Sequence, residues 1–515
     1  MSAHALTRFW AIAIPLLAAV HPLRAQDTIR AVRIETRPVF DSADANSWFF
    51  HTLNLLHVTT RQFVVEEELT VHPGSPYDSA ALAESTRNLR ALGIFRDVAI
   101  DTVDSAGSLV VRVDTHDAWT TNPTIHLQTS GTEATVGGGI SERNFLGTNT
   151  LLSGEYTRNP DRSVLALEAA HPRLIARTVG VDVTFQGRSD GTIVEPTLSA
   201  PFFSLTTPAG GSLAGQAIDA RVLQFVGGDP TPAREVRQRS DALVADGAAK
   251  ISASDAGYLR VGLTGQLRWD GFRPESATGP FPRSLAAAIG PYVEYRRVHY
   301  LTTRGYEAYG RDEDVDLGLT ARVGVAAGGG IGPSASITAG TRIPRGFVLA
   351  NASADGKFTS AGLDSGAVIG GVTAVFQGGT RHLGVIHADG GLRSRPYPGE
   401  EFDLGLGYGA RAYPIHAFTG DRTYITSAEY RYIVVPDALG LEAVGVAAFV
   451  DHAGAWYAGS PVRSGTDVGV GLRFGALRSP TGGMIRIDLA YRAATDVDRA
   501  QWVLAVGKGF AFNVR

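Results

Sequence analysis

The string most suggestive of catalysis is Gly187-Arg188-Ser189-Asp190-Gly191, a G-x-S-x-G in which Ser189 would be the nucleophile. That chemistry needs the serine on a strained turn from a strand into a helix. Here the string follows strand-like Val181–Phe185 and leads into further alternating sequence, so a polar hairpin turn is the plainer reading. Asp312-Glu313-Asp314 has the look of a solvated loop tip rather than an acid–base pair. The 13 His are scattered without ligand spacing, there is no cysteine, and neither His-Glu-x-x-His nor a Gly-Lys-Ser/Thr phosphate loop occurs. The expectation is a protein without catalytic residues, metal or cofactor. A net charge of -4, from 47 Lys+Arg against 51 Asp+Glu, offers no basic footprint for nucleic acid.

The elements that would carry any function begin with an address. Residues 1–25 read as a secretory signal: Arg8, then the apolar run Phe9–Val20, then Ala25 before Gln26 as the cleavage point. The run is too short for a spanning helix, and no later stretch has the ~18 apolar residues one needs. A membrane home would therefore require a closed barrel, the other way to satisfy every backbone polar group in lipid. The chain has 515 residues, of which 61 are Gly, above the usual ~7%. With 44% hydrophobic and 19% charged residues, it suits many strands and tight turns.

Thr28 to Asp117 is mixed. Ile29–Glu35 alternates like a strand and Trp48–Leu56 reads as a short helix. Thr59 or Thr60 can cap a helix running through Leu69, and Asp78 another closed by Gly93. Val98–Val103 and Leu109–Val113 alternate as strands about a turn at Ser105-Ala106-Gly107. After Trp119 period 2 takes over. Leu259–Trp269 sets Leu259, Val261, Leu263, Leu267 and Trp269 against Arg260, Thr264, Gln266 and Arg268; Val315–Val325 and Arg486–Arg492 repeat the pattern. A soluble sandwich also alternates, but prefers strands of about 5–6 residues. Runs of about ten, ended by aromatics such as Trp269 and Tyr491, favour a barrel with its apolar face to lipid. At ~25 residues per strand and connection, the remaining ~395 residues predict an all-β transmembrane barrel of about 16 antiparallel strands. Its last strand is expected over Gln501–Phe512, with Trp502, Leu504, Val506, Phe510 and Phe512 on one face.

Several segments resemble one family, the BamA/TamA-type superfamily of outer-membrane insertases and translocators, also called the bacterial surface antigen family. Arg61–Leu69, His72-Pro73-Gly74-Ser75-Pro76-Tyr77-Asp78 and Arg90-Ala91-Leu92-Gly93-Ile94-Phe95 resemble its POTRA module. Ser141-Glu142-Arg143-Asn144-Phe145-Leu146-Gly147-Thr148 and His171-Pro172-Arg173-Leu174 resemble its barrel entrance. Gly405–Tyr413, Ser427–Tyr432, Ala448–Trp456 and Val468–Asp488 follow in the family's order. The resemblance implies a signal peptide (1–25), a single α/β POTRA domain (26–118) in the periplasm and a barrel (119–515) in the bacterial outer membrane. It implies a latch in which Arg411, beside Tyr413 on an extracellular loop folded into the barrel, meets Asp451. The residues agree in part, since Asp451 has the parity opposite to Val446, Ala448 and Val450 and so faces the lumen. Ala412 stands where the family has Gly, which predicts a different loop tip. Trp502, Phe510 and Phe512 would form the seam with the first strand near Thr124–Thr129. Implied partners are the outer-membrane bilayer, unfolded or exported client proteins, and periplasmic chaperones or lipoproteins. The implied function is assembly, insertion or translocation of other proteins; a dedicated or passive channel of the same fold is the alternative.

Overall fold

The computed structural model describes residues 28–40, 48, 51–52, 54, 57–105, 108–130, 133–309, 312–405, 408–479, 484–493, 502–510 and 512. The signal expected at 1–25, much of the Trp48–Leu56 helix and Asn513-Val514-Arg515 lie outside them. Among the described residues no helix is long and apolar enough to cross a membrane.

The first unit is a three-stranded sheet covered by helices. Leu109–Asp117 is its centre, pairing in parallel with Ile29–Arg37 and antiparallel with Phe95–Asp104. Asp78 caps the helix Ser79–Ala91 by accepting the Ala80 amide at 2.8 Å. Gly93, at φ +65°, turns the chain out of that helix into the next strand. Ile29, Val65, Leu89, Ile94, Val111 and Val113 fill the core. The shorter helix, Gln62–Glu66, starts after Arg61 with no side-chain cap. Thr60, expected to cap it, is used elsewhere: its amide donates to Asp117 and its hydroxyl accepts from Asn144 of the barrel, both at 2.8 Å.

From Thr121 onward twenty antiparallel strands close into one barrel, correcting the expected number of about 16. The estimate failed on the connections. Many turns are minimal: Asp255-Ala256 joins Arg234–Ser254 to Gly257–Pro274, and Pro344-Arg345 joins Ile331–Ile343 to Gly346–Thr359. Some strands are short as well, such as Leu151–Arg158. The alternation has the expected sense. Leu263, Leu267 and Trp269 are exposed on the outer wall, while Arg260 on the same strand is buried within. Val315–Val325 is not one strand, however. Glu313–Asp316 belongs to a small hairpin with Tyr300–Thr303, and Leu319–Ala327 is the barrel strand.

The rim nearest the first unit grips it at several points. Arg173 of the barrel pairs with Glu68 at 3.0 Å, Glu84 accepts the Leu205 amide at 2.8 Å, and Arg90 pairs with Asp314 at 3.2 Å. Asp314 lies on the small hairpin, whose tip turns into the lumen, where Tyr306 packs edge-on against Phe347. The final strand is shorter than expected. Trp502–Lys508 is strand, then Gly509, at φ +66°, bends the chain. Phe510 and Phe512 therefore leave the outer wall. Phe512 stacks on His387 at 4.3 Å, and Phe510 lies under the Arg431 guanidinium at 3.9 Å. Lys508, which shares the parity of the apolar face, is the end of the strand, where its ammonium meets Thr124 Oγ1 at 3.1 Å.

Candidate functional site

The connection between His382–Ser394 and Arg422–Ala438 is long, and it carries a minimal hairpin of Phe402–Leu404 with Phe418–Gly420. Its tip hangs inside the barrel. Gly409, at φ +86°, and His416, at φ +62°, are left-handed residues of this loop. Ala412 does not have positive φ, so the glycine it replaces is not missed for backbone reasons. Ala412 instead places its amide on Asp467 at 2.9 Å and its carbonyl under Arg492 Nε at 3.0 Å.

Arg411 ends up almost without solvent contact, at 2% exposure. Its guanidinium reaches three carboxylates on three strands: Glu429 at 2.8 Å, Asp451 at 2.8 Å and Asp488 at 3.1 Å. The Nε contact with Asp451 lies off the hydrogen-bond axis and acts as an ion pair. The Phe449 ring covers the guanidinium at 3.7 Å. The carboxylates are shared outward. Glu429 also binds Arg431 at 2.5 Å and Arg473 at 3.0 Å, and Asp488 binds Arg473 at 2.6 Å and Arg486 at 2.7 Å. Ser427 donates to Asp451 at 2.5 Å. Burying an unpaired guanidinium costs several kcal/mol, and this network offsets that cost by giving each charge several partners.

Room for the tip comes from one strand, Ser464–Ala476. Asp467 and Arg473 face inward, and so do Gly465, Gly469 and Gly475. A Cβ at Gly465 would overlap the Tyr413 ring, and one at Gly469 would overlap Phe449. Tyr413 is therefore fully buried, its hydroxyl donating to the Thr466 carbonyl at 3.1 Å.

At its outer end the loop is tied by His416, whose Nδ1 meets Asp403 at 2.5 Å and whose Nε2 meets Asp161 of a neighbouring turn at 2.9 Å. Burial disfavours the imidazolium. The hydrogen bonds and charges of Asp161 and Asp403 outweigh it and raise its pKa to about 9.

The structure thus brings Arg411, Tyr413 and Asp451 into one cluster. Trp502 is separate from it, 63% exposed on the outer wall, while Phe510 and Phe512 lie beneath the cluster in the lumen. Glu429 and Asp488, the other two Arg411 partners, were not picked from sequence. Their signal was there: Ser427, Glu429 and Arg431, and Arg486, Asp488 and Arg492, fall on the polar parity of neighbouring strands. Gly187–Gly191 is a strand-to-strand turn between Val179–Arg188 and Gly191–Ala200, without the helix its nucleophile reading needs. Among the described residues no group of three or more His, Asp or Glu is placed to hold a metal ion.

The barrel's closing line is uneven. Every other neighbouring pair runs on through many residues, as in Thr121–Ser130 against Glu133–Glu142. Among the described residues the last and first strands pair in register only at Ala505 opposite Gln128 and Val506 opposite Leu127, with Thr129 Oγ1 donating to the Leu504 carbonyl at 3.3 Å.

No family model matches the chain, and no curated protein does. Among solved structures, the chain is similar to BamA from Haemophilus ducreyi lacking POTRA domains 1-3, at 12% identity over 94% of this chain and 84% of that one, with a TM-score of 0.41. It is similar to CdiB from Escherichia coli at 11% identity over 94% and 77%, with a TM-score of 0.48. It is also similar to CdiB from Acinetobacter baumannii at 11% identity over 93% and 73%, with a TM-score of 0.46.

Proposed function

We propose that the chain is an outer-membrane factor that inserts or translocates other proteins, with its first unit a POTRA module in the periplasm. The observation that carries the reading is that, among the described residues, Trp502–Lys508 and Thr121–Ser130 close the barrel through two register pairs. A closed barrel leaves no strand edge with unpaired backbone groups in lipid. Here the edge is nearly present, and opening it gives up few backbone hydrogen bonds. The first unit supplies a second edge in Phe95–Asp104, whose outer side pairs with no strand among the described residues. An extended client segment would pair there by β-augmentation and pass to the seam. No covalent bond changes in this scheme. The Arg411 cluster would keep the barrel wall next to the seam rigid, since Asp488 sits on Met484–Arg492, the strand that holds the last one.

The test exploits the absence of cysteine. Gln128→Cys with Ala505→Cys puts a thiol on each of two directly opposed residues, within reach of a disulfide. Oxidation should abolish delivery of other barrel proteins to the outer membrane, and reduction should restore it. Normal delivery with the seam fully cross-linked would overturn the reading.

A dedicated channel is the second reading, favoured by a water-accessible lumenal cavity of about 450 Å³ lined by Gln266, Arg268, Asp355, Lys357 and Arg393 among small residues. Depletion separates the two: broad loss of other barrels supports an insertase, and loss of a single solute or exported partner supports a channel.

A further inference from the structure

The outer wall carries an arginine row that the proposed function does not use. On Arg234–Ser254, residues 237, 239 and 241 share the parity of exposed Leu243, while buried Ser240 faces the lumen. On Ala209–Gln224, Asp219 and Arg221 share the parity of exposed Leu213; on Gly257–Pro274, Arg273 shares that of Trp269. The register places Arg221 opposite Arg237, and Arg237 opposite Arg273. Three guanidinium groups therefore stand side by side on neighbouring strands, facing outward. Like charges directly opposed across a sheet are destabilising on their own.

Nearby carboxylates offset part of this charge. Arg237 pairs with Asp219 at 2.5 Å, Arg221 with Glu235 at 3.0 Å, Arg239 with Asp219 at 3.1 Å, and Arg283 with Asp241 at 2.6 Å. Four arginines thus share Asp219, Glu235 and Asp241, Asp190 adds a longer contact with Arg221 at 3.9 Å, and Arg273 forms no ion pair among the described residues. Its Nη1 donates to the Gly279 carbonyl at 2.7 Å, while its Nε has no acceptor among the described residues. Arg273 and Arg239 both lie against the Phe281 ring, at 5.0 and 4.9 Å from its centre, which holds the two cations close together.

Height decides what this surface meets. The row lies at the rim away from the first unit, four residues beyond the level where Asp241 pairs with Trp269. At ~3.3 Å per residue and a tilt near 40°, that is about 10 Å above the aromatic level, where headgroups begin. If the first unit is periplasmic, this is the outer leaflet.

We propose that Arg273, Arg239, Arg237 and Arg221 form a binding site for the phosphates of a phosphorylated glycolipid in the outer leaflet, a chemistry that arginine's planar fork matches. This rests on the outer-membrane reading above. A phosphate between Arg273 and Arg239 would supply the charge that the row lacks.

The full chain, folded in detergent, is titrated with bisphosphorylated lipid A, with lipid A stripped of phosphate, and with phosphatidylglycerol, and bound lipid is counted by native mass spectrometry. The bisphosphorylated form should bind at least tenfold more tightly than the other two, and added salt should weaken it. Arg239→Gln with Arg273→Gln should lose that tenfold, while Arg342→Gln near the opposite rim should not. Equal binding of phosphate-free lipid A, or undiminished binding by the double variant, overturns the site; equal binding of phosphatidylglycerol overturns the glycolipid assignment. Should the double variant not fold, the three-lipid comparison on the unaltered chain still decides. A chain that is folded in buffer without detergent overturns the membrane reading itself, which is a different result from a membrane-embedded barrel indifferent to phosphate.

Discussion

Arg411 shows how much can depend on one side chain. Truncating it leaves Glu429, Asp451 and Asp488 competing for the remaining arginines in a place with almost no water. Breaking a buried network in this way costs about 3–5 kcal/mol. Arg411→Ala should therefore lower the temperature at which the barrel loses its heat-modifiable migration, and Arg411→Lys should not rescue it, because one ammonium cannot span three strands. An unchanged transition would show that the loop is not held by this contact. His416 makes a prediction of opposite character. Its pKa is raised above the ordinary imidazole value, so its contribution is fully present below about 6.5 and is lost as pH rises through about 9. Protease cleavage of the loop should be slow at pH 7 and fast at pH 10, and His416→Gln should be cleaved alike at both. Of these residues, Arg411 and Asp451 were legible only through a family resemblance, although the parity of Asp451 was legible by itself. His416 was not, because Asp161 lies on a turn far away in sequence and Asp403 reaches it only across the hairpin of its own loop.

Among the elements, Ser464–Ala476 is the one whose sequence is shaped by what lies against it. Its inward glycines are spaces kept for Tyr413 and Phe449. Gly465→Leu should expel the Tyr413 ring while leaving the outward residues Val468, Val470 and Leu472 unchanged. The expected result is a folded barrel with a loosened loop, seen as faster proteolysis of that loop without loss of membrane insertion; a cleavage rate equal to that of the unaltered chain would argue that the ring sits elsewhere. Strands of this kind were easy to read where alternation was strict, as in Leu259–Trp269. They were misread where an extension or a bend intervened. Val315–Val325 kept its period through a hairpin end and a new strand, and the terminal run kept its apolar period past Gly509, where the backbone turns inward. Periodicity reports which residues share a face; it does not report where a strand stops.

The whole molecule is wider than the sequence arithmetic suggested, because its turns are shorter. A ring of twenty strands encloses more than side chains alone can fill, and the chain fills part of it from both ends. The arginine loop enters from one rim; the Tyr306 hairpin and the Phe510–Phe512 tail enter from the other. The outer wall is apolar nearly all round, with Leu263, Ile289, Val323, Ile386 and Val470 each more than half exposed. The protein should therefore need detergent or lipid to remain monomeric, and a sedimentation run without either should give aggregates; a stable monomer there would contradict the membrane reading. The wall's closing line has a further consequence. Where two backbone rungs among the described residues join the first stave to the last, circumference is not a fixed property of the cylinder. A guest hairpin could be admitted as extra staves and later released, and the count of twenty would then describe the resting vessel alone.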